Sequence, residues 1–276
     1  MDASRALVLR PHPTHHGAVS DAPDDPIYVL RGVVKRFGDV TVLDGVDLAL
    51  APGEMLALIG PSGCGKSILL KAMIGLVPVD AGEILFEGRD VTKMTPAELM
   101  ALRWRVGLMF QQNALFDSMT VADNVAYGLH ERGAAHLTAA EIAERVSWSL
   151  SCVGLAGTEP LLPDELSGGM RKRVGLARTI AVKPEVILYD EPTMGLDPIN
   201  THRIGSLIDS LHASLGTAAV MVTHDMKLAR DLADRIALLQ DGKVLGVGTP
   251  EEMAAHADER VRDFLQGVDR EAETEG

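Results

Sequence analysis

Residues Gly60-Pro-Ser-Gly-Cys-Gly-Lys66-Ser67 constrain this chain more than any other stretch. They fit G-x-x-x-x-G-K-[ST], a loop whose glycines let successive backbone N–H groups converge on phosphate oxygens. The flanking sequence is what such a loop requires. Met55–Ile59 is a continuous apolar run that reads as a buried strand, and Lys66–Leu76 has helical character. Strand, loop and helix together put the positive end of a helix against a bound anion. Lys66 is expected to reach the β- and γ-phosphates of a nucleotide and Ser67 to ligate Mg²⁺. Gly60, Pro61, Ser62, Gly63, Cys64, Gly65 and Ile68 complete the expected cradle. Cys64 has two readings here: a site of thiol sensitivity, or a small residue that supplies only its backbone N–H.

Around this loop, apolar runs alternate with helical patterns. Val106–Phe110, Val186–Tyr189, Ala218–Val222 and Ile236–Gln240 read as buried strands, and Pro96–Trp104, Pro198–Ser214 and Met226–Ala233 as helices. Such alternation argues for a parallel sheet covered on both faces. Ile27–Val34 and Val42–Leu50 read as earlier strands, Ile84–Phe86 as a short one, and Gly242 as a turn into Val244–Val247. Residues from about 112 to 182 differ: Val121–Leu129, Ala139–Val153 and Gly169–Val182 are helical, which reads as an inserted helical subdomain. Residues 1–26, with four prolines and His12, His15 and His16, read as a solvated, disordered tail rather than a metal site, because no Cys or acidic partner stands at ligand spacing. The remaining unit spans 27–257, followed by a charged C-terminal extension, 258–276. Val261, Phe264 and Leu265 fall on one helix face of that extension, available for docking on a partner subunit unless the segment is simply solvated.

Charge excludes one class of partner. Lys plus Arg number 26 and Asp plus Glu 39, a net charge of −13, which disfavours nucleic acid as a ligand. The apolar runs are far shorter than the roughly 18–20 residues of a membrane span, and the N-terminus lacks a secretory h-region. Two cysteines, Cys64 and Cys152, make no disulfide framework.

The strand Val186–Tyr189 runs into Asp190-Glu191-Pro192. Strand alternation sends the two carboxylates different ways, so one can serve Mg²⁺ and the other an attacking water. Asp190 is assigned to the metal and Glu191 to general-base catalysis. His224 follows the strand Ala218–Val222, at the carboxyl end where parallel sheets bind ligands. It is placed to donate to the γ-phosphate and to orient the base. Gln111 ends the strand Val106–Phe110 and opens the helical insertion, so its amide can touch Mg²⁺ or the attacking water and report nucleotide state.

Leu166-Ser167-Gly168-Gly169-Met170 lies just before the strand bearing Asp190 and Glu191. With the phosphate loop, Gln111, Gly195-Leu196-Asp197 and His224 in this order, residues 27–250 resemble the nucleotide-binding subunits of ABC transporters. The resemblance implies an α/β fold. Its core is the parallel sheet of a P-loop NTPase (RecA-like), joined by an N-terminal antiparallel β subdomain and an α-helical insertion subdomain. It further implies ATP as ligand, Ser167, Gly168 and Gly169 as the signature, Asp197 as the D-loop acid, and Phe37 as the aromatic that stacks on adenine. Ser-Gly-Gly at a helix N-terminus is itself an anion site. One chain cannot bring both anion sites to one triphosphate. The family's solution is a head-to-tail homodimer with two ATP molecules buried between subunits.

Met170 departs from the family's commonest residue at this position, Gln. Ser-Gly-Gly-Met followed by Arg171-Lys172-Arg173, with Thr193-Met-Gly-Leu-Asp197-Pro-Ile and a late Phe264-Leu-Gln-Gly, resembles the ATPases of the Mla/Mce-type phospholipid transporters. That branch implies an integral-membrane permease, a lipid-binding Mce-domain subunit and a STAS-domain protein as partners. It also implies a peripheral position on the cytoplasmic face of the inner membrane. An importer ATPase for amino acids or other small solutes is the alternative within transport. A soluble ABC ATPase of DNA repair or translation is the alternative outside it, disfavoured by the single phosphate loop and the charge. Leu115, Phe116 and Met119 either line a groove for a permease helix or belong to the core.

Overall fold

A computed structural model describes residues 25–111, 114–131 and 137–267. Residues 1–24 of the expected tail, with its three histidines, lie outside the described residues, as do 268–276 of the extension. The chain runs β1 (Tyr28–Phe37), β2 (Val40–Leu50), β3 (Met55–Ile59), α1 (Lys66–Met73), β4 (Ala81–Phe86), β5 (Arg89–Asp90), α2 (Pro96–Arg105) and β6 (Val106–Met109). It continues through α3 (Val121–Glu131), α4 (Ala139–Cys152), α5 (Gly168–Ala181), β7 (Val186–Asp190), α6 (Pro198–Leu215), β8 (Ala218–Val222) and α7 (Met226–Leu232). The last elements are β9 (Arg235–Gln240), β10 (Lys243–Gly248), α8 (Pro250–Ala254) and α9 (Glu259–Gln266).

Two sheets form. One is antiparallel, ordered β2-β1-β4-β5; the other is ordered β10-β9-β3-β8-β7-β6. In the second, β3, β6, β7, β8 and β9 run parallel and only β10 is antiparallel. Apart from Asp190 at the end of β7 and Arg235 and Gln240 at the ends of β9, the parallel strands carry no charged or strongly polar side chains, because both faces are covered. On β3, Met55, Ala57 and Ile59 enter the core beneath the helical layer, whereas Leu56 and Leu58 enter the core shared with the antiparallel sheet. Strands β7 and β8 divide in the same way, Ile187 and Met221 to one side, Leu188 and Val220 to the other. One period-2 pattern therefore builds two cores.

Strand order positions the site. β8 lies between β3 and β7, and β6 flanks β7. The carboxyl ends of these neighbours carry, in spatial order, the phosphate loop, His224, the Asp190–Glu191 pair and the segment of Gln111. Main-chain bonds lock the strand ends together: Glu191 N–H to Val222 O at 3.0 Å, and Thr223 N–H to Leu58 O at 3.4 Å.

Helices α3, α4 and α5 pack on one another and on one face of the large sheet. Asn124, wholly buried on α3, shapes the segment ahead of that helix. Its Oδ1 accepts Phe116 N–H at 2.8 Å, and its amide donates to the carbonyls of Phe116, Met119 and Thr120. The C-terminal helix α9 has its apolar face turned inward. Val261 and Leu265 are buried in the core under the helical layer and Phe264 packs against it, so the face expected to be available to a partner subunit is used within the chain.

Candidate active site

After Ile59 the chain turns at Gly60, with φ of 151°. A Cβ there would lie 2.0 Å from Leu239 main-chain oxygen, so a larger residue does not fit. Gly65 caps α1 at φ 107°, a left-handed position that suits glycine. Lys66 follows in the first turn and is buried. Its ammonium donates to Gly60 O at 2.7 Å and Pro61 O at 2.8 Å, lying folded across its own loop. A buried charge needs such partners, and phosphate oxygens can take over from these two carbonyls. Cys64 Sγ is 3.8 Å from the same ammonium. Burial nonetheless raises the Cys64 thiol pKa by more than Lys66 lowers it, which keeps the thiol protonated and slow to react. Ile68 packs inward beneath the loop, whereas Pro61, Ser62 and Gly63 are exposed.

Asp190 ends β7, and Ser67 Oγ donates to Asp190 Oδ1 at 2.7 Å. A hydroxyl and a carboxylate that meet at one point are hard oxygen donors of the kind Mg²⁺ takes together with substrate phosphates and water. Among the described residues no cluster of three or more His, Cys, Asp and Glu could hold a metal by itself. The donor set therefore suits an ion that arrives with a nucleotide.

Glu191 sits at φ of +50°, a conformation that costs a β-carbon-bearing residue about 1–3 kcal/mol. Its carboxylate Oε2 lies 2.8 Å from His224 Nδ1. The Glu191 side chain is 12% exposed and that of His224 64%, so the imidazole forms the outer half of the pair. With the carboxylate oxygen as acceptor, Nδ1 is the donor of this contact, and Nε2 lies outside it.

The signature residues stand at the start of α5. Ser167 is its N-cap, accepting Met170 N–H at 3.3 Å, while Leu166 anchors the turn in the core. Ser167 and Gly168 are exposed and Gly169 is half-buried. Met170 turns inward and packs against the core. A Cβ on Gly169 would lie 3.6 Å from Asn200 Oδ1. Asn200 in turn belongs to Asp197, which caps α6 by accepting Asn200 N–H at 2.9 Å. That bond and the one from the Asn200 amide hold the Asp197 carboxyl below the usual range.

Phe37 ends β1, about half exposed, with the Lys35 ammonium 5.0 Å from its ring centroid. Its open face is free to stack. Gln111 lies just beyond β6, which stops at Met109 rather than at Phe110, an exposed residue. The Gln111 amide is directed to Met194 Sδ, in the turn after Glu191, and not to the Ser67–Asp190 pair. Leu115 packs against the core, whereas Phe116 remains at the surface, its ring 4.7 Å from that of Tyr127 and 4.8 Å from the Arg178 guanidinium.

Lys172, which the sequence presents only as part of a basic run after the signature, also belongs to this site. It is buried on α5 and bonds the carbonyls of Gln111 and Glu191. Helical spacing does carry the signal: Lys172 shares a face with the buried Gly175, Leu176 and Thr179.

Three adjacent strands thus bring a loop of phosphate-binding pattern, a hydroxyl–carboxylate pair that could hold a hydrated cation, and a carboxylate hydrogen-bonded to an imidazole to one sheet edge. Such an edge defines the class, a P-loop ATPase. Likeness to known proteins narrows it further. The ABC transporter family model matches residues 43–194, and the chain belongs to that family as an ATP-binding, ATP-hydrolysing subunit. It is 40% identical over 239 residues to the intermembrane phospholipid transport system ATP-binding protein MlaF of Escherichia coli K12, covering 87% of this chain and 88% of that one. It is 45% identical over 225 residues to the sulfate/thiosulfate import ATP-binding protein CysA of Caulobacter vibrioides, covering 81% of this chain and 65% of that longer protein. A dimeric ATP-binding cassette solved in a post-hydrolysis state with ADP and Pi superposes with a TM-score of 0.74 at 31% identity, covering 80% of this chain and 98% of that one.

Proposed function

We propose that this chain powers phospholipid transport between membranes, hydrolysing ATP on behalf of a partner permease. The observation that carries the reading is the 40% identity to MlaF across 88% of that protein's length. No described helix is long and apolar enough to cross a membrane, so the lipid path is assigned to partners. These are a permease, an Mce-domain lipid-binding subunit and a STAS-domain protein, with this chain on the cytoplasmic face of the inner membrane.

Within the site, Lys66 holds the β- and γ-phosphates and Phe37 stacks on adenine. Ser67 and Asp190 hold Mg²⁺, which neutralises charge developing on the phosphates. Glu191 takes the proton of the attacking water while His224 keeps its carboxylate aimed and contacts the γ-phosphate. Gln111 reports nucleotide state to the helical insertion; a role on the ion would require its amide to leave Met194. Ser167, Gly168 and Gly169 serve the triphosphate of a second copy in a head-to-tail homodimer, and Asp197 supports them through Asn200. Residues 27–257 make up this ATP-binding unit, with the insertion at about 112–182. A solute importer remains the second reading, favoured by the 45% identity to the sulfate/thiosulfate ATPase.

The test is to tag the Glu191→Gln variant, extract membranes in mild detergent with ATP and Mg²⁺, and identify what co-purifies by mass spectrometry. A permease with an Mce-domain protein and phospholipid supports the proposal. A permease with a soluble solute-binding protein moves the chain to the second reading. Soluble partners alone would sink the transporter role.

A further inference from the structure

Lys172 lies on α5, in the second turn after the Ser167 cap, and is 5% exposed. Lysine is almost never buried so deeply unless it is partnered. The ammonium reaches two main-chain carbonyls from separate parts of the fold: Gln111 O at 2.5 Å, beyond β6, and Glu191 O at 3.5 Å, beyond β7. Glu191 O also accepts Met194 N–H at 3.2 Å, and Met194 is the residue the Gln111 amide touches. The Gln111 segment and the turn after Glu191 are therefore joined twice, once through Lys172. Burial lowers the pKa of this ammonium, while the nearby Glu191 and Asp190 carboxylates act to raise it.

Glu191 needs such support. A residue at φ +50° keeps that conformation only when its surroundings over-determine it. Three tethers do so here. Its N–H goes to Val222, its carboxylate to His224, and its carbonyl to Lys172 and Met194. The Lys172 tether is the one that comes from the helix beginning at the signature.

We infer that Lys172 is a positioning residue for ATP hydrolysis, tying the Gln111 segment and the main chain of Glu191 to the signature helix and so fixing where the Glu191 carboxylate points. The inference rests on the assignment of Glu191 as general base. Lys172 touches neither nucleotide nor water in this role and acts through Glu191. Displacement of the signature helix by a second subunit would pass through one ammonium to both ends of the hydrolytic site.

Steady-state ATPase measurements on the full-length chain, with thermal melting as a control, test this. Lys172→Met keeps the aliphatic stem and removes the donors. It is expected to lower kcat about tenfold or more, with the KM for ATP within about twofold, since misplacement of a reacting group by about 1 Å can cost up to roughly a hundredfold. Lys172→Arg, which restores the donors, is expected to recover at least about a third of kcat. A folded Lys172→Met protein with kcat within about twofold of wild type overturns the inference. So does a fall in kcat that only parallels a rise in KM and a lower melting temperature, or an Arg variant no better than Met. If Lys172→Met does not fold, Lys172→Gln is read by the same criteria. Glu191→Gln is assayed alongside: if it retains turnover, the base assignment fails, whatever the Lys172 variants do.

Discussion

The imidazole Nδ1 of His224 lies 2.8 Å from Oε2 of Glu191, joining the ends of adjacent strands β8 and β7. Neither strand end could aim the carboxylate alone. Glu191 emerges from β7 in a left-handed conformation, and the histidine supplies the second point that fixes its direction. The carboxylate is mostly buried and the imidazole mostly exposed, so solvent and ligand reach the pair from the histidine side.

Replacing Glu191 with Gln keeps the shape and removes the carboxylate proposed as the base. Because general-base catalysis contributes about 10²–10⁴-fold, kcat for ATP hydrolysis should fall by at least about a hundredfold. ATP affinity, measured by equilibrium binding, should stay within a few-fold of wild type, and ATP-dependent dimers should accumulate. Substantial residual turnover would remove Glu191 from the base role.

Lys66→Ala should act on binding instead. The ammonium lies over the Gly60 and Pro61 carbonyls, where an incoming phosphate would meet it. A charge-assisted hydrogen bond is worth about 1.5–3 kcal/mol, so the Kd for ATP should rise about 10–100-fold. Wild-type affinity in a calorimetric titration would count against the phosphate-loop assignment.

Much of this site is legible in the sequence, and the physical reason is locality. A phosphate cradle needs backbone N–H groups at fixed spacing, so Gly60 to Ser67 carry it within eight residues. Asp190, Glu191 and His224 are readable because apolar strands end where ligands bind. The strand Ala218–Val222 has the limits its apolar run gives it. Helix α1 stops at Met73, short of Leu76, because Gly75 takes a left-handed φ of 63°. Helix α8 escapes notice although Thr249-Pro-Glu-Glu252 is a capping box in plain view. The ties among Lys172, Gln111 and Glu191 are of another kind. They join residues 61 and 19 positions apart through main-chain carbonyls, whose placement no side-chain pattern records. The same holds for the apolar face of α9, whose periodicity gives amphipathicity but not the surface it covers.

Phe116 is where a permease helix should meet this chain. Its ring is held at the surface by Tyr127 and Arg178, whereas Leu115 beside it turns into the core. Exposed aromatics held in place by neighbours make good anchor points for a partner helix. Phe116→Asp should abolish co-purification of the permease while leaving ATP binding unchanged. Undiminished co-purification would assign this surface no role in docking.

Asn124 should matter for both stability and docking, because it shapes the segment that presents Phe116. Its side chain is wholly buried and its bonds run to Phe116, Met119 and Thr120. Asn124→Ala would leave Phe116 N–H and at least one carbonyl without a partner, each unsatisfied group costing about 1–3 kcal/mol. A total loss of about 2–4 kcal/mol is expected in urea unfolding. Asn124→Asp keeps the acceptor for Phe116 N–H but sets a carboxylate against carbonyl oxygens, so it should be no better than Ala. Both variants should weaken permease co-purification in parallel with Phe116→Asp, since the aromatic ring would lose the turn that carries it. A folded Asn124→Ala protein within about 0.5 kcal/mol of wild type would show that water or a rearranged turn satisfies those groups instead.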